Sequence, residues 1–515
     1  MVDGSPPSAA RHVPSVEGGR PPDGGPRRPR VALVALGCRV SRSDAEALAA
    51  ALAGGFEVVE VGAVADFVVV NTCTVTADAD ATARQAIRSA ARRNPAARIV
   101  AAGCYAEVAP AELRALPGVA AVIGARSNVS VLDVLRALRD RGVRTAPERA
   151  GGVGASGAEP PMSGGLGGAG GIGGAAPDVK DGEAGGPSCA GGAVAGEAGG
   201  RPSAAGAAAG RAFELARRAP FGHVRALLKV QDGCDSRCAY CAVPLARGPA
   251  RSLPFQEALA RIAALGSRSP EVVLTGVHLG AYGRDLAPRR SLADLVAAAA
   301  ERGLARRVRL SSIEPHELPV ELFRGPARAM LCEHVHLPLQ SGSARVLAAM
   351  RRPCSPSEIQ RGVEALASAV PGICLGADVM TGFPGETELD HRATVEVVRS
   401  LPLAYLHVFP FSPRRGTAAS AMPGQVPTAL ARERARELRA MSERRWSAYA
   451  ASLEGREVEV VVERVEGGLA RGTARRYVTV RWPWSGEERR GDLARVRIQA
   501  VEGEACVGVF AGTVD

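Results

Sequence analysis

The segment 231-QDGCDSRCAYCAVP-244 places three cysteines together, with three residues between the first two and two residues between the last two. It follows 223-HVRALLKV-230, whose apolar run predicts a buried β-strand. Structural zinc takes four protein ligands, and no second CxxC pair follows this loop. Three thiolates in so short a loop can instead hold three irons of a [4Fe-4S] cluster and leave the fourth open to another ligand. The spacing therefore favours an iron–sulfur cluster over zinc at Cys234, Cys238 and Cys241 (the loop trio).

The chain after this loop predicts a barrel of alternating strands and helices. Five more strand patterns follow, with helical stretches between them: 271-EVVLTG-276, 307-RVRLSS-312, 333-EHVHLPL-339, 375-LGADVMTG-382 and 404-AYLHVFPF-411. Together with the strand before the cysteine loop they make six βα units within residues 213–442, which is typical of a full or partial TIM-type barrel. Polar and glycine-rich residues gather where these strands end, which is the end of such a barrel that carries the chemistry.

A second group of cysteines lies in residues 30–144, which predict a parallel α/β domain of the Rossmann or flavodoxin type. Cys38, Cys73 and Cys104 (the N-terminal trio) each stand just past the end of a predicted strand. The carboxyl ends of parallel strands meet at one edge of the sheet, so thiolates that are distant in sequence can converge there. A single buried cysteine is usually a small core residue. Three in the same position relative to their strands favour a second cluster.

The rest of the 515 residues divides by composition. Residues 1–29 are rich in Pro, Gly and Arg and contain no apolar signal-peptide core, so they predict a disordered tail. Residues 145–212 are dominated by Gly and Ala without helical or strand periodicity, and they predict a flexible linker. After an Arg-rich helical pattern at 427–452, alternating strands predict a small antiparallel β-barrel within residues 443–515. The predicted fold class is α/β, with this small β-barrel added.

The net charge of +11 suits a polyanionic partner such as nucleic acid. Nearly all of the positive charge is arginine, since Lys180 and Lys229 are the only lysines, and a general bias toward Arg, Ala and Gly explains the charge equally well. No run of about 18 strongly apolar residues is present, so we expect no membrane span. The predicted location is the cytoplasm, where clustered cysteines bind metal more often than they form disulfides.

The CxxxCxxC loop after a barrel strand resembles the radical S-adenosylmethionine superfamily, and its combination with the LGC, NTC and GC sites upstream resembles the methylthiotransferases. The resemblance covers residues 30–145 and 213–515, and it implies that the C-terminal β-barrel is an RNA-contacting TRAM domain. The segments NTCTVT, KVQDGCD, TGVHLGAYG, SSIEP and HVFPFSPRRGT are similar to the branch that modifies N6-threonylcarbamoyladenosine beside the tRNA anticodon. Two branches remain as alternatives, one acting on isopentenyladenosine in tRNA and one on a ribosomal-protein aspartate.

The resemblance implies two [4Fe-4S] clusters, each with one iron that has no cysteine ligand. The loop trio would hold the cluster that binds and cleaves S-adenosylmethionine. The N-terminal trio would hold an auxiliary cluster, which carries the sulfur that is methylated and transferred to C2 of the adenine. The implied partners are the tRNA anticodon loop, an electron donor such as flavodoxin or ferredoxin, and a sulfur source. A non-catalytic RNA-binding protein with structural zinc is the alternative of a different class.

By the same resemblance, residues at the ends of the barrel strands bind S-adenosylmethionine: Tyr240, Gly276, Ser312, Glu314, Gln340, Ser341 and Gly342. A plain strand-end turn or cap is the alternative for these positions, because Gly and Ser are common in turns. Four cysteines lack a matched spacing, and we expect none of them to be a ligand: Cys332, Cys354, Cys374 and Cys506. The chain departs from the family pattern at Ser41, at Cys354 and before Tyr477, where Asn, an aromatic residue and Asn are usual.

Overall fold

The computed structural model describes residues 27–142 and 223–514. Almost all of the predicted tail and the whole predicted linker lie outside the described residues. The described chain comprises a parallel α/β sheet, a partial barrel and a closed β-barrel, which confirms the predicted α/β class. Within the two described ranges, none of the helices combines the length and the apolar character that a membrane crossing requires.

The N-terminal part is a parallel sheet of five strands in the order β2-β1-β3-β4-β5. Its strands are β1 (Arg30–Ala35), β2 (Glu57–Val59), β3 (Phe67–Thr72), β4 (Arg98–Gly103) and β5 (Val119–Gly124), and its helices are α1 (Arg39–Leu52), α2 (Ala77–Arg93), α3 (Cys104–Val108), α4 (Pro110–Arg114) and α5 (Val131–Gly142). Every residue of β3 is buried, as expected for a parallel strand covered on both faces. The strand order places the carboxyl ends of β1, β3 and β4 side by side.

The second part is a partial barrel. Its strands are β6 (Ala226–Asp232), β7 (Arg251–Ser252), β8 (Val272–Gly276), β9 (Val308–Leu310), β10 (His334–Gln340), β11 (Cys374–Thr381) and β12 (Tyr405–Pro410). Hydrogen bonds divide them into the sheets β7-β6-β8-β9 and β10-β11-β12, and the bridges Val308–Leu331 and Ser312–His336 join the two. The TIM-type prediction is confirmed in its partial form, because β6 and β12 do not pair with each other in the described chain.

Helices cover the outside of this barrel. They are α6 (Val243–Arg247), α7 (Phe255–Gly266), α8 (Leu292–Glu301), α9 (Ala344–Ala349), α10 (Pro356–Ala369), α11 (Glu388–Ser400) and α12 (Thr428–Ala451), with 3-10 turns at Leu279–Ala281, Pro315–Glu317, Val320–Phe323, Pro326–Ala329 and Ala418–Ala421. Capping boxes start α8, α10 and α11, at Ser291, Ser355 and Thr387. α12 contributes Leu438 to the core of the partial barrel and Ala450 to the core of the C-terminal barrel, and therefore connects the two.

The C-terminal part is a closed barrel of five strands in the order β13-β14-β15-β17-β16. The strands are β13 (Glu457–Glu466), β14 (Leu469–Ala474), β15 (Thr479–Pro483), β16 (Leu493–Glu502) and β17 (Ala505–Thr513). Trp482 is fully buried at its centre, and its indole N–H donates a hydrogen bond of 2.8 Å to Glu488. The prediction of a small β-barrel is confirmed, but the barrel is not wholly antiparallel, because β15 and β17 pair in parallel.

Buried charges fix the C-terminal barrel against the partial barrel. Glu271 is fully buried and accepts hydrogen bonds from Arg307 (2.7 Å) and Arg309 (2.7 and 3.0 Å). Arg309 also donates to the backbone carbonyls of Ala474 and Arg475 in the C-terminal barrel, at 3.0 and 3.1 Å. Burial raises the pKa of Glu271, but the two guanidinium groups outweigh it and hold that pKa well below the ordinary value.

Tyr477 belongs to the turn after β14 and reaches into the partial barrel. Its ring stacks on the His334 imidazole, with 4.0 Å between the ring centroids, and the Arg309 guanidinium lies 5.5 Å from the same ring. Its hydroxyl accepts a hydrogen bond of 3.1 Å from Arg39, the first residue of α1. One phenol ring therefore contacts all three parts of the described chain.

Candidate active site

The N-terminal trio lies at one edge of the first sheet. Cys38 is the N-cap of α1, Cys73 follows β3, and Cys104 is the first residue of α3, directly after β4. Cys73 and Cys104 are buried and Cys38 is exposed. Burial and, to a smaller extent, the nearby thiols of Cys38 and Cys104 raise the pKa of the Cys73 thiol to about 12. This mutual influence shows that three thiols far apart in sequence are neighbours in the fold.

Two glycines make room for this trio. Gly37 and Gly103 precede Cys38 and Cys104, and both have positive φ angles, +98° and +100°. A Cβ atom at position 37 would lie 2.3 Å from the Cβ of Cys73 and 2.6 Å from its sulfur. A Cβ atom at position 103 would lie 2.5 Å from Oδ1 of Asn71. No side chain fits at either position without moving its neighbours.

The loop trio follows β6, as the sequence predicts. Cys234, Cys238 and Cys241 are partly buried, and the backbone N–H of Cys241 donates to the carbonyl of Cys238 at 3.1 Å. Burial raises the pKa of the Cys241 thiol to about 12, and the thiols of Cys238 and Cys234 contribute. The three thiols therefore lie near one another in this loop.

The groups around the loop trio suit sulfurs that carry negative charge. The backbone N–H of Ser236 donates to Cys234 at 3.4 Å, and that of Val243 donates to Cys241 at 3.5 Å. Nδ1 of His278 lies 3.7 Å from the Cys234 sulfur, and the other ring nitrogen lies 2.8 Å from Glu317. Such a donor set fits thiolates that ligate an iron–sulfur cluster, whose sulfurs accept hydrogen bonds from the protein.

A chamber of about 260 Å³ lies between the two trios. Cys104 of the N-terminal trio and Cys241 of the loop trio both line it. Its other walls include Tyr240, Gln340, Asp378, Met380, Phe409 and Phe411. A planar apolar molecule in this chamber would lie within reach of both cysteine groups. The two sets of cysteines are therefore parts of one site.

Two of the predicted cofactor-binding residues, Tyr240 and Gln340, line this chamber. Gln340 has a φ angle of +67°, and its buried Oε1 has no hydrogen-bond partner in the described chain. An unsatisfied buried oxygen in a chamber wall fits a ligand that brings an N–H or O–H donor. S-adenosylmethionine and an adenine base both carry such donors.

The other predicted cofactor-binding residues lie around the strand ends, outside the chamber walls. Glu314 accepts a hydrogen bond of 2.9 Å from Arg352, whose guanidinium also lies 3.8 Å from the Cys238 sulfur.

A Cβ atom at Gly276 would come within 3.0 Å of the Gln231 side chain. Ser312 is exposed, on the bridge to His336. Ser341 and Gly342 pack on α11, where both bond to Thr394, at 3.2 and 3.0 Å. Their roles stay predictions.

The sequence motifs do not identify Arg247, which donates from Nε to the Cys104 sulfur at 3.2 Å. They also do not identify Arg352 and His278 as neighbours of the loop trio. The quoted segment TGVHLGAYG contains His278, so a polar residue just after a barrel strand was the available signal. The sequence carries no comparable signal for Arg247, because its sulfur partner lies 143 residues away.

A group of imidazoles surrounds Asp378 on the barrel interior. Nε2 of His336 lies 2.9 Å from the Asp378 carboxylate, and Nδ1 of His407 lies 3.4 Å from the same oxygen. Tyr405 lies beside them, 3.1 Å from Nδ1 of His336. Burial raises the pKa of Asp378, but the two imidazoles outweigh it and hold that pKa well below the ordinary value. Asp378 therefore presents a carboxylate to the chamber wall.

Comparison with known proteins gives matches along most of the chain. The model of the uncharacterized protein family UPF0004 matches residues 30–124, and that of the radical SAM superfamily matches residues 228–398. The threonylcarbamoyladenosine tRNA methylthiotransferase MtaB of Bacillus subtilis is 31% identical, over 84% of this chain and 84% of that protein. The protein of the same name from Treponema pallidum is 35% identical, over 87% of this chain and 94% of that protein. The ribosomal protein uS12 methylthiotransferase RimO of Desulforudis audaxviator is 31% identical, over 85% and 86%.

Proposed function

This chain belongs to the radical S-adenosylmethionine methylthiotransferases, and we propose that it adds a methylthio group to C2 of N6-threonylcarbamoyladenosine beside the anticodon of tRNA. The relatives that bear the MtaB name support this branch, since several of them match most of the chain. The RimO relative and a tRNA-2-methylthio-N(6)-dimethylallyladenosine synthase represent the two alternative branches. The latter match covers 55% of this chain, less than the MtaB matches.

One observation carries the assignment: Cys104 and Cys241 border the same chamber. Methylthiolation of an aromatic carbon replaces a C–H bond with a C–S bond, and no side-chain base can break that C–H bond. The reaction therefore needs sulfur chemistry and radical chemistry within reach of one bound base. A chamber with a cysteine from each trio in its walls meets that requirement.

The proposed cofactors are S-adenosylmethionine and two [4Fe-4S] clusters. The loop trio would hold the cluster that works with S-adenosylmethionine, and the N-terminal trio would hold the auxiliary cluster. When bound, these groups supply the one-electron and sulfur-transfer chemistry. The chain itself excludes water from the chamber with Met380, Phe409 and Phe411, whose apolar surfaces pack against a flat base. The unpartnered oxygen of Gln340 accepts a hydrogen bond from the bound molecule.

The polar substituent of the base has a matching group in Asp378, which lines the chamber and is flanked by the imidazoles of His336 and His407. The threonylcarbamoyl group carries urea N–H donors, a hydroxyl and a carboxylate. Asp378 accepts from the N–H donors. The half-exposed His407 ring, 3.4 Å from the Asp378 carboxylate, is the nearby cationic partner for the carboxylate of the substituent. A site whose polar groups would be left unpaired by an apolar substituent discriminates against it strongly. This arrangement therefore favours threonylcarbamoyladenosine over isopentenyladenosine.

Further partners follow from the chemistry. An electron donor such as flavodoxin or ferredoxin and a sulfur source are required, and the proposed place of action is the cytoplasm. The basic charge of the chain suits the phosphates of tRNA. The C-terminal β-barrel has the architecture that we expect of a TRAM domain, and we assign it the contact with the RNA.

The test is nucleoside mass spectrometry of tRNA from a strain that lacks this gene. We expect the methylthio form of threonylcarbamoyladenosine to disappear and the unmethylthiolated form to accumulate. Complementation with the unaltered gene restores the product, whereas Cys104→Ala and Cys241→Ala do not. The control is Cys506→Ala, because Cys506 is a buried free thiol that lies in the C-terminal barrel core, away from both trios.

Loss of the methylthio form of isopentenyladenosine, with the threonylcarbamoyl product unchanged, would instead assign the chain to the other tRNA branch. Iron and sulfide analysis of anaerobically purified protein tests the cofactors separately. Two clusters correspond to about eight irons per chain. Stoichiometric zinc without sulfide would refute the enzymatic assignment.

A further inference from the structure

We propose that Arg247 is a positioning residue for the N-terminal trio, and that its hydrogen bond to Cys104 raises the reduction potential of the cluster held there. The inference rests on the proposed auxiliary cluster. Arg247 lies in α6, directly after the loop trio, so its bond to Cys104 also links the two trios. The structural basis is one guanidinium group with three different acceptors.

Arg247 ends α6, the short helix that follows Cys241. Its side chain is 5% exposed, and its Nε–H donates to the Cys104 sulfur at 3.2 Å. One terminal nitrogen donates to Asp232 at 3.0 Å, and the other donates to Asp44 at 2.8 Å. Asp232 ends β6, whereas Asp44 lies on α1 of the N-terminal sheet. Two carboxylates from two parts of the chain thus aim the third donor at the sulfur.

The surrounding charges balance without the sulfur. Nζ of Lys229 donates to Asp232 at 3.0 Å and also contacts Asp44. Two cations and two carboxylates therefore form a neutral quartet, in which each carboxylate contacts both cations and Asp44 alone is partly exposed. The two terminal nitrogens of Arg247 donate to the carboxylates of this neutral quartet, whereas its Nε–H donates to the Cys104 sulfur. Lys229 is also notable as one of two lysines in a chain that is otherwise supplied with arginine.

The sign of the effect follows from electrostatics. Reduction adds negative charge to a cluster and its sulfurs, and an N–H donor stabilises that charge. The reduced form is therefore favoured while Arg247 donates to Cys104. The loop trio has a counterpart in Arg352, which lies 3.8 Å from the Cys238 sulfur and is held by Glu314. The two arginines permit a matched comparison, one at each trio.

A salt-bridge clamp between the two parts of the chain is the simpler interpretation of this contact, and it predicts no effect on a potential. Arg247→Lys keeps a cation between Asp44 and Asp232 but cannot donate from Nε in the same geometry. The experiment is a redox titration of the full, reconstituted chain, monitored by electron paramagnetic resonance. Variants that lack one trio supply the reference spectrum of the remaining cluster.

We expect Arg247→Lys to lower the reduction potential of the auxiliary cluster by ~59 mV. For a one-electron couple this equals a tenfold decrease in the ratio of reduced to oxidised cluster at a fixed solution potential. The reduction potential of the cluster at the loop trio should stay unchanged. Arg352→Lys should instead lower the potential of the loop-trio cluster and leave that of the auxiliary cluster unchanged. Asp44→Asn releases one anchor of the guanidinium and should give a smaller shift in the same direction. It serves as the test variant if the lysine variant does not fold.

An unchanged potential in a folded Arg247→Lys protein with full iron content would overturn the inference and leave Arg247 as a clamp. A shift of both clusters by the same amount would also overturn it, because it would indicate a general structural change. An unaltered chain that binds about four irons would instead refute the auxiliary cluster, and the inference would fall with it. The iron count of the unaltered chain therefore separates the two failures.

Discussion

Replacing Gly37 by Ala should remove the auxiliary cluster that we propose for the N-terminal trio and leave the cluster proposed for the loop trio in place. The change has two costs. The φ angle of +98° is strained for any side chain, which costs about 1–3 kcal/mol. The added Cβ would also lie 2.3 Å from the Cβ of Cys73 and 2.6 Å from its sulfur, so Cys73 must move by about 1 Å to restore a normal contact. Cys73 is 3% exposed and follows a fully buried strand, so it cannot move freely.

Gly62→Ala is the matched control for this prediction. Gly62 has a φ angle of +105°, and nothing lies within 4 Å of a Cβ atom built there. It therefore carries the backbone strain without the collision. Both variants should lose similar stability through strain, and the difference between them isolates the displacement of Cys73.

Iron content, together with cleavage of S-adenosylmethionine, supplies the measurement. The Gly37→Ala protein should retain about four irons of about eight and still cleave S-adenosylmethionine without forming methylthiolated product. The Gly62→Ala protein should retain all of its iron. Equal iron in the two variants would refute the reasoning, because it would mean that the trio tolerates a side chain at position 37.

Three further predictions follow from the described contacts. Glu271→Gln removes the counter-charge of the buried Arg309 guanidinium and one of the two carboxylate partners of Arg307, and it should cost about 3–5 kcal/mol in urea unfolding. Glu321→Gln, at a side chain 84% exposed, should cost almost nothing. Because the folded-state pKa of Glu271 lies below the ordinary 4.5, its contribution is complete at neutral pH and is lost as the pH falls below that value; constant stability across this range would contradict the prediction. His407→Phe should reduce methylthiolation of threonylcarbamoyladenosine while cleavage of S-adenosylmethionine continues, and an unchanged product yield would remove His407 from substrate recognition. Tyr477→Phe removes the hydrogen bond from Arg39 and should lower thermal stability by about 1 kcal/mol, with calorimetry of the parent and the variant as the comparison.

The elements that the sequence predicts are those with strong local patterns. The six parallel strands of the partial barrel carry apolar runs, and the predicted helix at 427–452 corresponds to α12. In the C-terminal barrel, alternating apolar patterns at 457–465, 477–482 and 493–501 predict β13, β15 and β16. β14 and β17 carry no such pattern because glycines interrupt them: Gly472 lies in β14, and Gly508 and Gly512 lie in β17. A Cβ atom at Gly472 would lie 1.9 Å from the carbonyl oxygen of Val461, so close strand packing removes the side chain that the pattern needs.

Both cysteine trios could be located from sequence. The loop trio has a characteristic CxxxCxxC spacing, and a topological rule applies to the N-terminal trio. Parallel strands end at one edge, so the positions of Cys38, Cys73 and Cys104 relative to their strands predict their convergence. The residues that support the trios follow no such rule. Arg247 approaches Cys104 through the packing of α6 on α3, and Arg352 approaches Cys238 from the turn after α9. Contacts of this kind depend on tertiary packing and leave no local periodicity.

Tyr477 limits how freely the three parts of the chain can be exchanged. Its ring lies on His334 of the partial barrel, its hydroxyl bonds to Arg39, and its backbone belongs to the C-terminal barrel. Arg39 directly follows Cys38, so the C-terminal barrel contacts the helix that begins at a cysteine of the N-terminal trio. A hybrid protein with a C-terminal barrel from another source keeps this three-way contact only if that barrel supplies an aromatic hydroxyl at this position and the partial barrel supplies the imidazole. The three parts are therefore not independent modules, since exchanging any one of them removes a member of this contact.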